Sequence, residues 1–216
     1  MVWDYYGGGK AFNPRLLELM EAVNKSDSGS LHREDILNPE GWILLSFVMD
    51  PRTGLGRFND YRISNYKLME DMIQYCRTMT AEEVLALQDV VERTTRYFEQ
   101  SKLFVEMLRA HSHADGNVIV TDLRDCETIF AGNRFMGYAL YPDQNIEMRV
   151  MWGREKKNVV FSVGHSVLKR TSKTNVGALM LKNGGGGHEK VGTCQVDTAD
   201  ADRVLAELIA QMQADG

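Results

Sequence analysis

The sequence predicts an α/β protein with a helical amino-terminal half, a long connector helix and a carboxy-terminal mixed α/β domain. Three observations predict this class. Apolar residues recur at helical spacing from Asn13 to Ala110, and short β-branched runs separated by helical patterns follow from Asn117 to Val196. An amphipathic helix, capped by Asp197 or Thr198, ends the chain and is expected to bury Val204, Leu205, Leu208, Ile209 and Met212.

Two Asn-Pro pairs begin the helical half, and each supplies a polar cap followed by a proline suited to the first helical turn. The pair Asn13-Pro14 predicts a helix that buries Leu16, Leu17, Met20 and Val23. The pair Asn38-Pro39 precedes residues 42–49, which are apolar nearly all round and are therefore predicted to be buried. Residues 50–58 hold two arginines and two glycines and are predicted to be a plain connector.

A third helix is predicted from Ser64 to Thr78, with Leu68, Met72, Ile73 and either Tyr75 or Cys76 facing inward. A capping box at residues 80–83 then precedes one long amphipathic helix, predicted over residues 89–110. At ~1.5 Å per residue this helix would reach about 30 Å, which suits a strut between two lobes. Residues 111–116 are predicted to be the loop that ends it, and the two histidines of that loop are interpreted as incidental rather than as metal ligands.

The carboxy-terminal half alternates strands with helices. Strands are predicted over residues 117–123, 146–152, 159–163 and 193–196. Helices are predicted over residues 132–141, which include Asn133 and Arg134, and over residues 175–182.

Composition indicates a globular protein of the cytoplasm. The chain has 216 residues, of which 44% are hydrophobic and 25% are charged. No window approaches the ~18 apolar residues of a membrane span, and the amino terminus does not resemble a secretion signal. The three cysteines are widely spaced, which fits reduced thiols better than disulfides or a zinc site.

Charge is distributed unevenly along the chain. The net charge is −5, yet residues 149–190 hold nine Lys or Arg and two acidic residues, so this segment carries +7 and the remainder −12. A basic segment inside an acidic chain is suited to attracting a polyanion. The alternative is a solvated face of strands and loops.

Four consecutive glycines, Gly184 to Gly187, lead into His188, and Gly192 follows. Such a run costs roughly 0.5–1 kcal/mol per residue relative to alanine in regular structure, so it indicates close backbone approach or positive φ. The amides of a glycine turn and the imidazole of His188 can donate to a phosphate. A flexible surface loop is the alternative. The other glycine run, residues 7–9, lacks the Ser or Thr of a phosphate loop and is predicted to be a turn.

The stretch Gly184–His188 followed by Gly192 resembles the Gly-Gly-Gly-His signature of the carboxy-terminal domain associated with DHH-type phosphoesterases. That family includes RecJ-like exonucleases, nano-RNases and exopolyphosphatase-related proteins. The resemblance extends over nearly the whole chain, and residues 38–42, 52–58 and 62–66 are most similar to the exopolyphosphatase-related branch.

The resemblance implies two lobes and a hydrolytic reaction. In the family, an amino-terminal lobe binds two divalent metals, usually manganese (Mn2+), and a carboxy-terminal lobe binds substrate phosphate or nucleotide. Two metals ~3.5–4 Å apart polarise the phosphoryl group and supply hydroxide. On this basis residues 1–30 are a remnant of the metal lobe, residues 31–112 a helical region with the connector, and residues 113–216 the substrate-binding domain.

The sequence departs from the family because it has no Asp-His-His and no Asp-x-Asp motif near the amino terminus. Asp27 alone falls where a metal ligand is expected, and one carboxylate cannot form two metal shells. We therefore expect the substrate-binding part of a phosphoesterase, inactive by itself. The resemblance and the local chemistry give these expected substrate ligands: Gly185, Gly186, Gly187, His188, Arg170, Lys173, Arg134 and Ser166.

Two further hypotheses stay open at this point. One is a non-catalytic module that binds a nucleotide or a short single-stranded nucleic acid, with an affinity that falls as salt rises. The other is an assembly role, in which the long helix and the twelve methionines form a homodimer interface. The sequence does not choose among oligonucleotide, 3′-phosphoadenosine phosphate, cyclic dinucleotide and polyphosphate as the substrate.

Overall fold

The computed structural model of the protein describes residues 2–216, which form two compact units. The first unit contains the chain up to Lys102 together with Ala131–Arg134, and the second contains Leu103–Phe130 and Phe135–Gly216. The predicted class is confirmed, since a helical half is followed by a mixed sheet with its own helices. Among residues 2–216, no helix combines the length and the apolar character that crossing a membrane requires.

The first unit is helical. Its helices are α1 (Val2–Tyr5), α2 (Leu16–Asp27), α3 (Arg33–Leu37), α4 (Gly41–Met49), α5 (Asn65–Thr78), α6 (Ala81–Leu85) and the first part of α7 (Gln88–His111). As predicted, α4 is buried, and Trp42 and Leu45 pack with Leu68 and Val84 in one core. The predicted capping box of α6 is confirmed, because Thr80 and Glu83 each accept a hydrogen bond from the other's backbone amide.

Two predicted buried stripes are wrong in part. Helix α2 has no fully buried residue, and Leu17 and Val23 are 44% and 40% exposed. Its contact with the core runs instead through Leu19 and Ala22, so the inward face is rotated from the predicted one. In α5, Leu68 is buried but Ile73 is 64% exposed, because this helix meets the core along a narrow stripe.

One arginine is buried within the first unit. Arg93 is 2% exposed, and its guanidinium donates to Asn65 Oδ1 at 3.1 Å, to Asp89 O at 2.8 Å and to Ile63 O at 2.7 Å. The same group lies 4.1 Å from the ring centroid of Tyr61. These contacts replace the hydration that burial removes, and they join α7 to the start of α5.

The second unit is built on a six-stranded sheet. Its strands are β1 (Ser112–Asp115), β2 (Val118–Asp122), β3 (Ile146–Trp152), β4 (Asn158–His165), β5 (Gly186–His188) and β6 (Val191–Asp197), in the order β1-β2-β3-β4-β6-β5. Strands β2 and β3 are parallel, and the other neighbours are antiparallel. The helices that follow α7 are α8 (Met136–Leu140), α9 (Val176–Lys182) and α10 (Ala201–Asp215).

The two faces of this sheet differ in chemistry. The apolar face carries residues such as Val120, Met148 and Phe161 and packs against Met180 of α9 and Leu208 of α10. The opposite face, which we call the polar face, carries the residues in between. Strand pairing aligns Thr121, Arg149, Ser162, Thr193 and Gly186 across it, one residue from each of five strands.

The structure also corrects three predictions in the second half. Residues 112–115, predicted as loop, form β1. The sequence does not indicate this strand because the segment is polar and lacks β-branched residues. Asn133 and Arg134 precede α8 rather than lying in it. The last helix begins at Ala201 after a 3₁₀ turn, and neither Asp197 nor Thr198 caps it with a side chain.

Candidate substrate-binding site

The glycine run begins as a helix terminus. Gly184 follows α9 with φ of +75°, its amide donates to Leu181 O, and the amide of Gly185 donates to Met180 O at 2.9 Å. This pair of bonds is the Schellman motif, in which a left-handed residue closes the last helical turn. Gly184 is therefore explained by its conformation alone.

The remainder of the run is a strand, which the sequence did not predict. Gly186–His188 is β5, at the edge of the sheet, and a tight turn at Glu189 and Lys190 joins it to β6. A methyl group on Gly185 would collide with the carbonyl oxygen of Thr193, and one on Gly187 would collide with that of Val191. These two glycines permit close packing of backbone against backbone.

Gly186 is different from its neighbours. A methyl group there would meet nothing within 4 Å, and the residue does not have a left-handed φ. No contact among residues 2–216 therefore requires a glycine at this position. Because Gly186 and His188 alternate along β5, both face the polar side of the sheet, where His188 pairs with Val191.

A loop from Ser166 to Asn175 flanks the hairpin of β5 and β6. The amide of His165, just before the loop, donates to Lys190 O at 2.9 Å, and the amide of Val176, just after it, donates to Glu189 O at 2.8 Å. Both ends of the loop are thereby fixed to the hairpin turn. The loop and His188 consequently lie at the same end of the sheet.

Three of the predicted ligands lie in this loop, and they differ in accessibility. Ser166 is 2% exposed, and its Oγ accepts from the amides of Leu168 and Lys169, so it shapes the loop. Arg170 and Lys173 are exposed, as is His188. The structure thus brings His188, Arg170 and Lys173 to one end of the sheet as accessible cations or donors. Their role as substrate ligands stays a prediction.

The basic segment does not form a single patch around the glycine run. Arg154, Lys156 and Lys157 lie in the turn before β4, whereas Arg170 and Lys173 follow the far end of that strand. Eight residues of strand separate the two groups, and a strand of that length spans about 23 Å. The positive charge that the sequence places together is therefore divided between opposite ends of the sheet.

Arg134, the eighth predicted ligand, belongs to the first unit and lies beside a carboxylate that the sequence did not single out. Its Nε is 3.5 Å from Asp50 Oδ2, and Arg52 donates to Asp50 Oδ1 through both its amide and its Nε. Burial raises the pKa of Asp50, but these bonds and the two positive charges outweigh it and hold the pKa below its ordinary value.

The loop that carries Asp50 is more than the plain connector predicted. Its Thr53 is 5% exposed and accepts at its carbonyl from the amide of Gly132, 2.9 Å away, so residues 131–134 fasten the loop within the first unit. Two features of the sequence could have indicated a structured loop: the Asp50-Pro51 pair that begins residues 50–58, and the two arginines within them.

The described residues do not fit a two-metal centre. Asp27 is the exposed last residue of α2, at the rim of an apolar groove lined by Leu19, Trp42 and Met72. Throughout residues 2–216, no three His, Cys, Asp or Glu side chains are grouped so that they could hold a metal ion. A single carboxylate beside apolar side chains does not provide the six or so ligands of a divalent metal.

The helical first unit, the mixed sheet and the Gly-His hairpin define the class, and comparison with solved structures agrees. The chain belongs to the DHH family of phosphoesterases. It is 49% identical to the pGpG-specific phosphodiesterase PggH from Vibrio cholerae, with a TM-score of 0.93, and the match covers 100% of this chain and 72% of that chain.

More distant structures add the fold alone. The DHH domain of a protein described as a member of a ribosomal protein family is 12% identical, with a TM-score of 0.54 over 91% of this chain and 46% of that chain. An exopolyphosphatase-related protein from Bacteroides fragilis is 11% identical over 69% of this chain and 43% of that chain, and its TM-score of 0.44 carries no weight. A scan against protein-family models and a search of curated proteins both gave no match.

Proposed function

We propose that this chain binds a short guanine dinucleotide of the pGpG type, as the substrate-binding part of a DHH-family phosphodiesterase. The observation that carries the proposal is Gly186, which no contact in the described part of the chain requires to be glycine and which lies two residues before exposed His188. A glycine without a local steric reason is suited to close approach by a ligand. The 49% identity to a pGpG-specific enzyme supports the choice of ligand.

In this proposal the residues divide their roles by chemistry. His188 donates a hydrogen bond to a substrate phosphate, and the backbone of Gly186 approaches the same group. Arg170 offers the planar donor pair that matches two phosphate oxygens, and Lys173 adds positive charge. Arg134 is proposed as a further phosphate ligand, acting within the first unit beside Asp50. Ser166 is proposed to contribute by holding the loop that presents Arg170.

A binding experiment tests the proposal. Calorimetric titration of the chain with pGpG should give an affinity that His188→Ala weakens about tenfold or more, because a charge-assisted hydrogen bond contributes about 1.5–3 kcal/mol. His113→Ala is the matched control, since His113 is also exposed but lies on β1. Equal pGpG affinity in the wild type and His188→Ala would contradict the assignment of His188.

Hydrolysis is a separate expectation. Cleavage of pGpG adds water to the phosphorus and releases the 3′-oxygen of one nucleotide, which yields two GMP molecules. In the family, manganese supplies the activated water, and residues 2–216 do not assemble the ligands for it. We therefore expect this 216-residue chain to bind pGpG without cleaving it. If chromatography detects GMP released from pGpG by the purified chain in MnCl₂, this expectation is overturned.

The two other hypotheses are weaker after the fold is known. A nucleic-acid module that follows a continuous basic track is less favoured because the positive charge is divided between opposite ends of the sheet. A homodimer stays a prediction that light scattering can test.

A further inference from the structure

The polar face of the sheet is covered over one half and open over the other. On the covered half, Ile119, Thr121 and Glu147 are buried, and a methyl group on Gly137 of α8 would lie 2.9 Å from Glu147 Cδ. On the open half, β4, β6 and β5 expose a different set of side chains: Ser162 and Val160 are half-buried, and Val191, Thr193 and Gln195 are exposed.

Arg149 and Tyr138 lie where the covered half meets the open half. Arg149 donates to Glu147 through Nε at 2.8 Å and through Nη2 at 3.1 Å, so a buried carboxylate compensates its charge. Tyr138 donates to Gly164 O at 3.2 Å and thereby contacts β4, the first strand of the open half. On the side next to the covered half, the open half is therefore bordered by a charge-compensated ion pair and a tyrosine.

Strand register connects the open half to the candidate site. Gly186 pairs with Thr193, and Thr193 pairs with Ser162, so the three lie in one row across β5, β6 and β4. His188 pairs with Val191 in the adjacent row. Because neighbouring strands are ~4.8 Å apart, the row extends about 10 Å from Gly186.

The chemistry of this surface suits a nucleoside and not a chain of phosphates. Ser162, Thr193 and Gln195 supply neutral donors and acceptors, and Val191, 49% exposed, supplies apolar contact. A base and a ribose need this combination. A polyphosphate needs cations, and none of these four residues is cationic. Asn158 donates to Gln195 Oε1 at 2.9 Å, which fixes the orientation of that amide.

We propose that the open half of the polar face is a nucleoside floor, which contacts the base and ribose of the nucleotide whose phosphate lies at Gly186 and His188. The inference rests on the proposed function and makes it more specific, since it assigns residues to the nucleoside as well as to the phosphate. Ser162, Thr193 and Gln195 are then determinants of specificity, while His188 recognises the phosphate common to both ligand types.

The test compares two ligands, pGpG and inorganic tripolyphosphate, by calorimetry on the full chain. The double variant Thr193→Ala/Gln195→Ala should bind pGpG about tenfold more weakly, as expected for the loss of neutral hydrogen bonds, and tripolyphosphate as the wild type does. His188→Ala should weaken both. Gln211→Ala, an exposed position on α10 at the apolar face, should change neither.

Amide NMR spectra give a second readout that does not depend on the variants. Addition of pGpG should shift the signals of Ser162 and Gln195, whereas tripolyphosphate should shift only those of His188, Gly186 and its strand partner Thr193. If the double variant binds pGpG as the wild type does and the signals of Ser162 and Gln195 stay in place, the nucleoside floor is refuted while pGpG binding stands. If the wild type binds no pGpG, both the proposed function and the floor are refuted.

Discussion

Alanine substitutions at Gly185 and Gly186 provide a direct test of the reasoning, because the two neighbours are expected to respond in opposite ways. At Gly185 the added methyl would collide with Thr193 O and lie 2.6 Å from Cys194 Cα. Both are backbone atoms of the adjoining strand, which cannot rotate away as a side chain can. We expect a cost of about 3 kcal/mol or more, at the upper end of the range for overpacked sites.

At Gly186 the added methyl would meet nothing within 4 Å. The folded state should therefore be unaffected, and the reduced entropy of the unfolded chain should stabilise the protein by about 0.4–1 kcal/mol. Binding should respond differently. If substrate approaches the backbone at this position, the methyl occupies part of its place, and we expect the Kd for pGpG to rise about tenfold or more.

Thermal unfolding and calorimetric titration separate the two effects. For a chain of this size, Gly185→Ala should lower the Tm by about 6–12 °C, at ~2–4 °C per kcal/mol, whereas Gly186→Ala should leave it equal or slightly raised. A Gly186→Ala variant that binds pGpG as tightly as the wild type would falsify the assignment of Gly186 to the ligand. Equal destabilisation by both substitutions would refute the steric reasoning.

Two further predictions concern the stability of the first unit. Arg93→Met should destabilise the protein by about 3 kcal/mol or more in urea unfolding, since it leaves Asn65 Oδ1 and the carbonyls of Ile63 and Asp89 without their buried donor; a loss under ~1 kcal/mol would contradict this. Burial raises the pKa of Tyr97 from 10.0 to about 12, although hydrogen bonds with Ser101 and Asn133 lower it. A raised folded-state pKa gives stability that is complete below about pH 10 and lost as the pH rises toward about 12, so the Tyr97→Phe variant should lose less stability than the wild type over that interval; equal alkaline losses would count against the assignment.

Elements with strong periodicity could be predicted from the sequence almost to the residue. The strand predicted at residues 146–152 is β3, and the long helix predicted over residues 89–110 is α7, which begins one residue earlier and ends one later. In both elements, the prediction comes from side chains that recur regularly on one face. The short polar strand β1 has no such pattern of apolar residues, because it is stabilised by pairing with β2 rather than by burial of its own side chains.

The candidate site could be predicted only in its residue types. The sequence of the glycine run predicts a phosphate-binding turn or a flexible loop, yet the run forms a helix terminus, a packed edge strand and one position with open space beside it. A run of identical residues cannot distinguish these roles, because each depends on which backbone lies opposite. The net charge of residues 149–190 likewise treats their positive side chains as one group. Only the course of β4 shows that these side chains lie at opposite ends of the sheet.

The residues of the polar face bear on substrate specificity in the same way, because their role depends on which side of the sheet they face. Along β6 the exposed residues Val191, Thr193 and Gln195 alternate with buried Gly192 and Cys194, so one strand contributes to the core and to an open surface at once. Phosphate recognition by His188 and the loop would serve any substrate of the family. Discrimination between a nucleotide and a bare polyphosphate has to come from neutral groups beside the phosphate, since cations attract both alike. Thr193 and Ser162 lie in register with Gly186, and Gln195 lies in the next row along β6. If these groups contact the nucleoside, the substrate preference of this chain should change with Thr193 and Gln195 before it changes with any arginine or lysine.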